Sequence, residues 1–259
     1  TPTGWTTMGE VEIGDEVIGR DGQGHSVVAV YPQGERDIYR VGFSDGATTE
    51  CTEDHIWPVA TATQRKAGQH QTMTLRQIMD AGLYFPSGPH RWSVPFVEPV
   101  EYEEQPDPLP LDPYLLGALL GDGSSRGNGR GSGGITLANA AADADEMQAA
   151  VEPLLPAGVS VSRRDRGGWS EFYFKGGGSP APNPLTTAIR ELGLWDVLGG
   201  KKFIPAAYLT AAISERVALL QGLIDTDGHI EKRRGSSVRL TTTSAVLAEQ
   251  VTSLVGGLG

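Results

Sequence analysis

The sequence predicts a mixed fold, in which a small all-β domain is followed by an α+β domain built from two pseudo-symmetric halves. Short alternating apolar runs separated by Asp-Gly pairs fill residues 1 to about 60, and a segment dense in proline and acid follows. Beyond that segment, one short motif occurs twice. Because 259 residues can form two ordinary cores, we place the domains at 1–108 and 109–259.

The composition excludes several classes of protein. No run of about 18 apolar residues could span a bilayer, and the opening TPTGWTTMGE lacks the features of a signal peptide, so we expect a soluble, cytoplasmic protein. A single cysteine, Cys51, rules out an internal disulfide framework and a multi-cysteine zinc site. Any metal must therefore be held by oxygen ligands. The formal net charge of -11 means that a nucleic-acid role requires basic residues concentrated on one face.

The first 108 residues carry the signals of strands and tight turns. Asp-Gly pairs at 21–22 and 45–46 separate alternating apolar runs, and glycine supplies the positive φ that hairpin turns need. The stretch TLRQIMDAGL at 74–83 has a threonine cap and the apolar spacing of a short helix. At 97–114, VEPVEYEEQPDPLPLDPY predicts an extended connector, because prolines lack backbone donors and acids repel one another.

Helices mixed with strands are predicted after the connector. A first helix, PYLLGALLGDG, has Pro113 in its opening turn. The further elements are a strand GITLAN, a helix around DADEMQAAVEPLL, a hairpin VSVSRRDRGGWSEFYFKG and a helix NPLTTAIRELGLWDVL. KKFIPAAY then leads into another helix, which ends in the second copy of the motif.

The two motifs belong to an internal repeat. Asp122 and Asp227 lie 105 positions apart, and the strands that begin at Ile135 and Val238 lie 103 positions apart. In each copy the strand is followed by a polar turn and an amphipathic helix, DADEMQAAVEPLL in the first and SAVLAEQVTSLV in the second.

Small residues predict that the two motif helices pack closely. They recur at a spacing of four, as Gly117 with Gly121 and as Gly222 with Thr226. If the helices pack in parallel, Asp122 and Asp227 reach the same end and repel unless divalent cations neutralise them. Magnesium at such a pair, with positions open to water and phosphate oxygens, hydrolyses phosphodiesters. A helix stopped by an Asp-Gly turn would explain either motif alone.

Both motifs, LLGALLGDG at 115–123 and LQGLIDTDG at 220–228, resemble the LAGLIDADG signature of homing endonucleases. The resemblance implies magnesium-dependent cleavage of double-stranded DNA, with Asp122 and Asp227 as the catalytic, metal-binding carboxylates. Asp225 occupies a position that Leu120 fills in the first copy, so we interpret it as structural.

The same family carries a lysine in a K-x-I-P pattern, which KKFIP matches with Lys202. The resemblance implies a catalytic role, in which the cation stabilises developing phosphorane charge or helps to activate water. Without the resemblance, a lone lysine is more often a solvated surface group.

In this family a saddle of strands lies in the DNA major groove. The corresponding basic residues here are Arg163, Arg164, Arg166, Lys175, Lys232, Arg233, Arg234 and Arg239. Strand alternation would place about half of them on one sheet face, where they could contact phosphates and guanines of the homing site.

The N-terminal domain resembles inteins, whose splicing domain has an all-β horseshoe fold, termed Hint. GATTECTEDHIWPV at 46–59 resembles the second conserved intein block, and PTGWTTMGEVEIGDEVIGRDG at 2–22 the stretch after the first. The resemblance implies autocatalytic protein splicing, without a cofactor, from flanking extein sequences. Thr52 and His55 would hydrogen-bond and protonate the scissile amide.

The two ends of the chain do not match a complete intein. Thr1 lies several residues inside the expected intein start, which would carry a nucleophilic Cys or Ser. Cys51 lies within a strand block and is not that nucleophile, and SLVGGLG lacks the terminal His-Asn pair. Only 32 residues follow Asp227. We therefore expect a fragment of a longer protein, one that cannot splice as written.

Three hypotheses follow from the sequence. The first is an intein with an embedded, active homing endonuclease. The second is a degenerate or truncated element whose LAGLIDADG domain only binds DNA or supports the fold. The third is an autoprocessing β domain fused to an unrelated α/β module. Two motifs in one chain predict a monomer, because they already form the pair that single-motif relatives build by dimerising.

Overall fold

The computed structural model describes residues 1–103, 107–127, 133–176, 182–231 and 237–259. Two compact units can be distinguished by their internal contacts. The smaller consists of Thr7–Asp15 and Ser26–Val97, and the larger consists of Thr1–Thr6, Glu16–His25 and Glu98–Gly259. The domain boundary that the sequence places near residue 108 stays a prediction.

Short antiparallel hairpins dominate the first 75 residues. Their strands are β1 Glu16–Ile18, β2 Gly24–Ser26, β3 Tyr39–Gly42, β4 Thr48–Cys51, β5 Ile56–Val59 and β6 Gln71–Thr74. These strands pair as β1 with β2, β3 with β4, and β5 with β6. Gly22 and Gly46 have φ angles of 77° and 92°, so both predicted Asp-Gly turns are confirmed.

The smaller unit also contains helices α1 Ala62–Lys66 and α2 Leu75–Ala81. The predicted helix at 74–83 is confirmed as α2, and a capping box defines its start. Thr74 Oγ1 accepts from the Gln77 amide at 3.2 Å, while Gln77 Oε1 accepts from the Thr74 amide at 2.9 Å. Leu75 and Ile78 are the buried residues of this helix.

The larger unit alternates helices with antiparallel strands. Its further elements are α3 Pro113–Asp122, β7 Gly123–Gly127, β8 Gly133–Ala140, α4 Ala144–Val151, β9 Val159–Asp165, β10 Trp169–Gly176, α5 Pro184–Glu191, α6 Ala206–Leu209, α7 Ile213–Asp227, β11 Gly228–Glu231, β12 Ser237–Leu240 and α8 Ala245–Gly256. Four strands form one sheet in the order β7-β8-β10-β9, and β11 pairs with β12. Across the described parts of the chain, no helix is both long and apolar enough to cross a membrane.

The predicted internal repeat is confirmed by the order and register of these elements. α3, β7, β8 and α4 follow one another as α7, β11, β12 and α8 do. Gly123 lies opposite Leu137 in the first copy, and Gly228 lies opposite Leu240 in the second. Each copy therefore turns directly from its motif helix into a hairpin.

Strand alternation gives the four-stranded sheet a core face and an outer face. Phe172 and Phe174 of β10 are buried with Leu137 of β8, which lies opposite Phe172. This core face packs with residues of α3, α4, α5 and α7 in one apolar cluster. Glu171 and Tyr173, the alternate residues of β10, therefore point to the outer face.

Helix α5 is shorter than the sequence predicts. The predicted helix runs through residue 198, whereas α5 ends at Glu191. Gly193 follows with a φ of 71°, and its amide bonds the carbonyl of Arg190 at 3.0 Å, so the chain turns out of the helix. The apolar residues after Gly193 continue the helical spacing, which is why the pattern overestimates the length.

The predicted connector is extended, but hydrogen bonds fix its first part to the larger unit. The amides of Glu98, Glu101 and Glu103 donate to the carbonyls of Arg20, Gly22 and Pro2 at 2.9, 2.9 and 3.1 Å. The amide of Val100 donates to the Gly257 carbonyl at 2.9 Å. Residues 98–103 are therefore part of a folded unit rather than a free linker.

Candidate functional site

Two motif helices, α3 and α7, form the centre of the larger unit. The Asp112 carboxylate caps α3 by accepting from the amides of Tyr114 and Leu115 at 2.9 and 3.2 Å, and Pro113 occupies the first turn. Leu115 and Leu116 are fully buried. This cap and the apolar run fix where the helix that carries Asp122 begins and which neighbours it packs against.

The two helices approach closely at glycines. A Cβ atom on Gly117 would lie 3.0 Å from the Leu223 amide nitrogen, and one on Gly222 would lie 2.8 Å from the Ala118 amide nitrogen. Neither backbone neighbour can give way cheaply, so a side chain at either position would push the helices apart. The close packing predicted from the small residues is confirmed.

The carboxyl-terminal ends of α3 and α7 lie side by side. Thr226 Oγ1 donates to the carbonyls of Gly222 and Leu223 at 2.9 and 3.1 Å. A Cβ on Gly121 would lie 2.9 Å from Thr226 Cβ and 3.6 Å from the Asp227 carboxyl carbon. Because both helices end here, Asp122 and Asp227 occupy the same end of the pair, as a parallel arrangement requires.

A polar contact from the first turn of α3 joins the helices a second time. The Tyr114 hydroxyl donates to Asp225 Oδ2 at 2.8 Å, across 111 positions of sequence. Burial and this bond raise the pKa of Tyr114 above its ordinary range, so the tyrosine stays a donor. Asp225 thus contacts the partner helix rather than the other two aspartates.

The electrostatics of Asp122 and Asp227 are those of a crowded acidic pair. Desolvation, followed by the charge of Asp227, raises the pKa of Asp122 to about 6, and Lys202 opposes this. Desolvation also raises the pKa of Asp227, again against Lys202. Two carboxylates that resist ionisation together form a site that a cation would stabilise.

The Lys202 ammonium group closes the end of α3. Its Nζ atom lies 3.1, 2.9, 2.8 and 2.8 Å from the carbonyl oxygens of Leu119, Leu120, Gly121 and Gly123. Desolvation lowers the pKa of Lys202, and the two aspartates oppose this. The cation therefore neutralises the negative end of the helix that carries Asp122.

The donor set suits a hard divalent cation. Among the residues that the structure describes, no three His, Cys, Asp or Glu side chains come together as metal ligands. Asp122 and Asp227 offer carboxylate oxygens alone, and Mg²⁺ commonly takes one or two carboxylates and completes its shell with water and phosphate oxygens. The crowded charge of this pair fits such an ion.

The predicted DNA-contacting residues do not share one face. Arg163 lies opposite Phe172 and so points to the core face, where it pairs with Asp145 at 2.5 Å and Asp165 at 3.0 Å. Arg164 lies opposite Glu171, on the outer face. Lys175 of β10 alternates onto that face as well. The structure thus separates Arg163 from its neighbours.

The remaining predicted basic residues lie in turns or in the second half. Arg166 follows β9, and its Nη2 atom donates to Glu171 Oε2 at 3.1 Å. Arg239 of β12 lies opposite His229 and pairs with Glu231 at 3.2 Å. Lys232, Arg233 and Arg234 lie outside the described residues.

Several outer-face residues were missed by the sequence prediction. Ser124 of β7 lies opposite Thr136, and Arg126 lies opposite Gly134, so all three side chains point away from the core face. His229 holds the position equivalent to Ser124 in the second copy. Alternation continued past each motif glycine would have identified them, because each motif helix leads directly into a strand.

Thr52 and His55 lie in the smaller unit, in the turn between β4 and β5. The His55 amide donates to the Thr52 carbonyl at 3.2 Å, which brings the two residues into one turn. The His55 ring is exposed and packs edge-on against Trp57, with 5.3 Å between ring centroids. Cys51 is buried at the end of β4, opposite Tyr39.

A known protein family matches the part of the chain that contains the second motif. Residues 214–259 match a family model described as LAGLIDADG-like domain. The C-terminal part of the chain is therefore similar to LAGLIDADG-like domains. The match spans α7, β11, β12 and α8, and so includes Asp227 and the second copy of the repeat.

Two proteins named replicative DNA helicase DnaB are similar to this chain. The protein of Mycobacterium intracellulare is 29% identical over 274 residues, which is 100% of this chain and 41% of that protein. The protein of Mycobacterium leprae (strain TN) is 38% identical over 73 residues, which is 26% of this chain and 12% of that protein. The chain therefore spans less than half the length of these relatives.

Two solved structures of the homing endonuclease I-DmoI were also found. One is a variant in complex with its target DNA in the presence of Mn, with a TM-score of 0.40, 14% identity, and coverage of 58% of this chain and 76% of that chain. The other is a mesophilic variant, with a TM-score of 0.30, 11% identity, and coverage of 57% and 95%.

Proposed function

We propose that the chain is part of an intein whose larger unit is a homing endonuclease, which cleaves double-stranded DNA at a specific site with Mg²⁺ as cofactor. The observation that carries the proposal is the position of Asp122 and Asp227 at the same end of a close-packed helix pair. In metal-dependent phosphodiester hydrolysis, carboxylate oxygens of this kind hold the cation beside the scissile group.

In this proposal Asp122 and Asp227 hold the cation. When bound, Mg²⁺ supplies Lewis-acid polarisation of the phosphate and an acidified water nucleophile. Lys202 fixes the end of α3 through its four carbonyl contacts and places a positive charge beside both carboxylates. Its catalytic contribution is therefore one of positioning and of favourable charge near the phosphate.

The outer face of the sheet is the proposed DNA interface. In the first half it presents Arg126, Arg164 and Lys175, with Arg166 at its edge. In the second half Arg239 takes this role, together with the predicted Lys232, Arg233 and Arg234. Arg163 is left out, because its ion pairs hold it on the core face. Local positive charge of this kind supplies phosphate contacts within an acidic chain.

The smaller unit is the proposed splicing domain of Hint type. Thr52 and His55 share a turn and would act on the upstream scissile amide, with hydrogen bonding from one and proton donation from the other. The helicase relative of M. intracellulare matches the whole chain with less than half its own length, so we propose that the flanking exteins belong to a replicative DNA helicase. The homing site then lies in the helicase gene that lacks the intein-coding insertion.

The proposal is tested with the full-length protein and a plasmid that carries the uninterrupted host gene. The wild type should cleave in Mg²⁺, whereas the double variant Asp122→Asn, Asp227→Asn should bind the same DNA and leave it intact. Asp225→Asn is the matched control, because it removes the third aspartate of the motifs, whose partner is Tyr114. Cleavage by the double variant at the wild-type rate would refute the assignment.

A second candidate function is DNA binding without cleavage. The observation that favours it is the Lys202 ammonium group, whose donors are already taken by helix-end carbonyls. The same assay separates the two functions. Specific binding of the host-gene segment without a metal-dependent cut would support the binding function and reject the nuclease.

A further inference from the structure

Glu171 lies at the centre of a cluster on the outer face of the sheet. The Tyr173 hydroxyl donates to Glu171 Oε2, and Arg166 Nη2 donates both to that oxygen at 3.1 Å and to the Tyr173 hydroxyl at 3.0 Å. The Arg164 guanidinium lies over the Tyr173 ring, 5.8 Å from its centroid. These donors and charges lower the pKa of Glu171, so it is a carboxylate at neutral pH.

The second half of the repeat contains a comparable pair. Arg239 Nη2 lies 3.2 Å from Glu231 Oε2. Glu231 and His229 alternate with Ile230 along β11, and Arg239 lies opposite His229, so the pair is on the outer face too. Both halves therefore present an arginine to the proposed DNA surface with a glutamate already bound to it.

In this cluster the Glu171 carboxylate takes the position that a DNA phosphate would take beside the same donors. A guanidinium group and a phenol that donate to one anionic oxygen, with a second guanidinium over the phenol ring, are groups that proteins also direct at phosphate oxygens. Arg166 cannot direct the same N–H group at Glu171 and at a DNA phosphate. A DNA contact made through the same Nη2 donors of Arg166 or Arg239 must therefore displace the glutamate, and the paired glutamate also offsets the positive charge that would attract a phosphate.

We propose that Glu171 and Glu231 are internal competitors for the DNA backbone, which keep Arg166 and Arg239 from binding phosphate unless other contacts secure the duplex. The inference rests on the proposed function and deepens it, because it assigns two acidic residues a role in discriminating specific from non-specific DNA. Backbone contacts supply most non-specific affinity, so weakening them selectively favours the cognate site.

The test measures affinity of the full-length protein for a random-sequence duplex by fluorescence anisotropy, at fixed salt and without divalent cation. Glu171→Gln and Glu231→Gln should each tighten binding about two- to fivefold, the range expected when an exposed ion pair no longer has to be broken. The double variant should approach the product of the two effects, since the pairs lie in different hairpins.

The matched control is Asp145→Asn. It removes the same unit of charge and one of the two ion pairs of Arg163, which lies on the core face of the sheet. Its effect on affinity should stay below twofold. Equal tightening by Glu171→Gln and Asp145→Asn would overturn the inference, because net charge alone would then explain the gain.

Three further results decide between this inference and other accounts. Weaker binding by Glu171→Gln would overturn the inference and indicate that the carboxylate contacts a base edge, such as a cytosine amino group. If the wild type binds neither the random duplex nor the host-gene segment, the proposed function itself fails and the inference fails with it. If the wild type binds DNA and both Glu variants bind it with the same affinity, the inference is rejected and the proposed function stands.

Discussion

At the scale of single residues, charge and burial decide what each side chain in the site can do. Asp122 and Asp227 share one end of the helix pair, and each has a raised pKa. Lys202 offsets part of this cost while its ammonium group binds the end of α3. Asp122 and Asp227, which are suited to hold a cation, therefore destabilise the metal-free protein when they ionise.

Asp122→Asn should stabilise the protein at neutral pH in the absence of divalent cations. The folded-state pKa of Asp122, about 6, lies above its ordinary value of 3.8, so the folded state binds this proton more tightly than the unfolded state does. The wild type therefore gains stability from this group as pH falls from 7 towards 4, and the variant does not. Thermal unfolding in EDTA at pH 7 and at pH 4.5 or below should show the variant's advantage shrinking. A variant less stable than the wild type at pH 7 would contradict the account.

Residue identities in the site were predictable, but several of their partners were not. The aspartate pair follows from the repeat, because two helices packed through small residues bring equivalent positions together. The carbonyl contacts of Lys202 span about 80 positions of sequence, and no local pattern encodes them. The face of Arg163 depends on its register with β10, which a one-residue shift would reverse.

At the scale of elements, the close contact between α3 and α7 is the determining feature. Gly117 and Gly222 let each helix backbone lie against the other, and the apolar residues around them fill the core. The periodicity of the sequence predicted these helices and strands β8 and β12, but it missed β7 and β11, which complete the hairpin after each helix. It overestimated α5, because the apolar spacing continues past the glycine at which the helix stops.

Gly117→Ala should destabilise the larger unit by about 1–3 kcal/mol, although alanine is the better helix former. The added Cβ would lie 3.0 Å from the Leu223 amide nitrogen and 3.1 Å from the Leu219 carbonyl carbon, so the helices must separate. Gly256→Ala is the control, because its Cβ at the end of α8 would meet nothing within 4 Å. It should be neutral or stabilise by up to about 1 kcal/mol. Urea unfolding of both variants measures the difference, and equal stability would refute the tight contact.

At the scale of the whole molecule, a buried arginine joins distant segments of the larger unit. Arg216 of α7 is 1% exposed and donates to the carbonyls of Ala211 and Gly257 at 2.9 Å each, and to that of Val100. Its guanidinium also lies over the Tyr102 ring, 5.0 Å from the centroid. This role could not be predicted from the sequence, because an arginine on an amphipathic helix is expected at an exposed polar position. The hydrogen bond from Arg216 to the Val100 carbonyl explains why residues 98–103 belong to the folded unit.

Arg216→Met should cost about 2–5 kcal/mol of unfolding free energy. Methionine retains much of the apolar stem, but the carbonyls of Val100, Ala211 and Gly257 lose their donor, and a buried acceptor without a partner costs about 1–3 kcal/mol. Arg216→Lys should recover part of the loss, since one ammonium group cannot reach all three carbonyls in the same geometry. Chemical unfolding monitored by circular dichroism provides the values. A loss below about 1 kcal/mol would show that the connector is not held through this residue.

The central claim is that Asp122 and Asp227 together form a metal centre, and Mn²⁺ binding to the full-length protein, followed by electron paramagnetic resonance, tests it most directly. The account predicts saturable binding by the wild type and by Asp225→Asn, with loss of that binding in the Asp122→Asn, Asp227→Asn variant. Unchanged Mn²⁺ binding by this double variant, or none by the wild type, would contradict the claim.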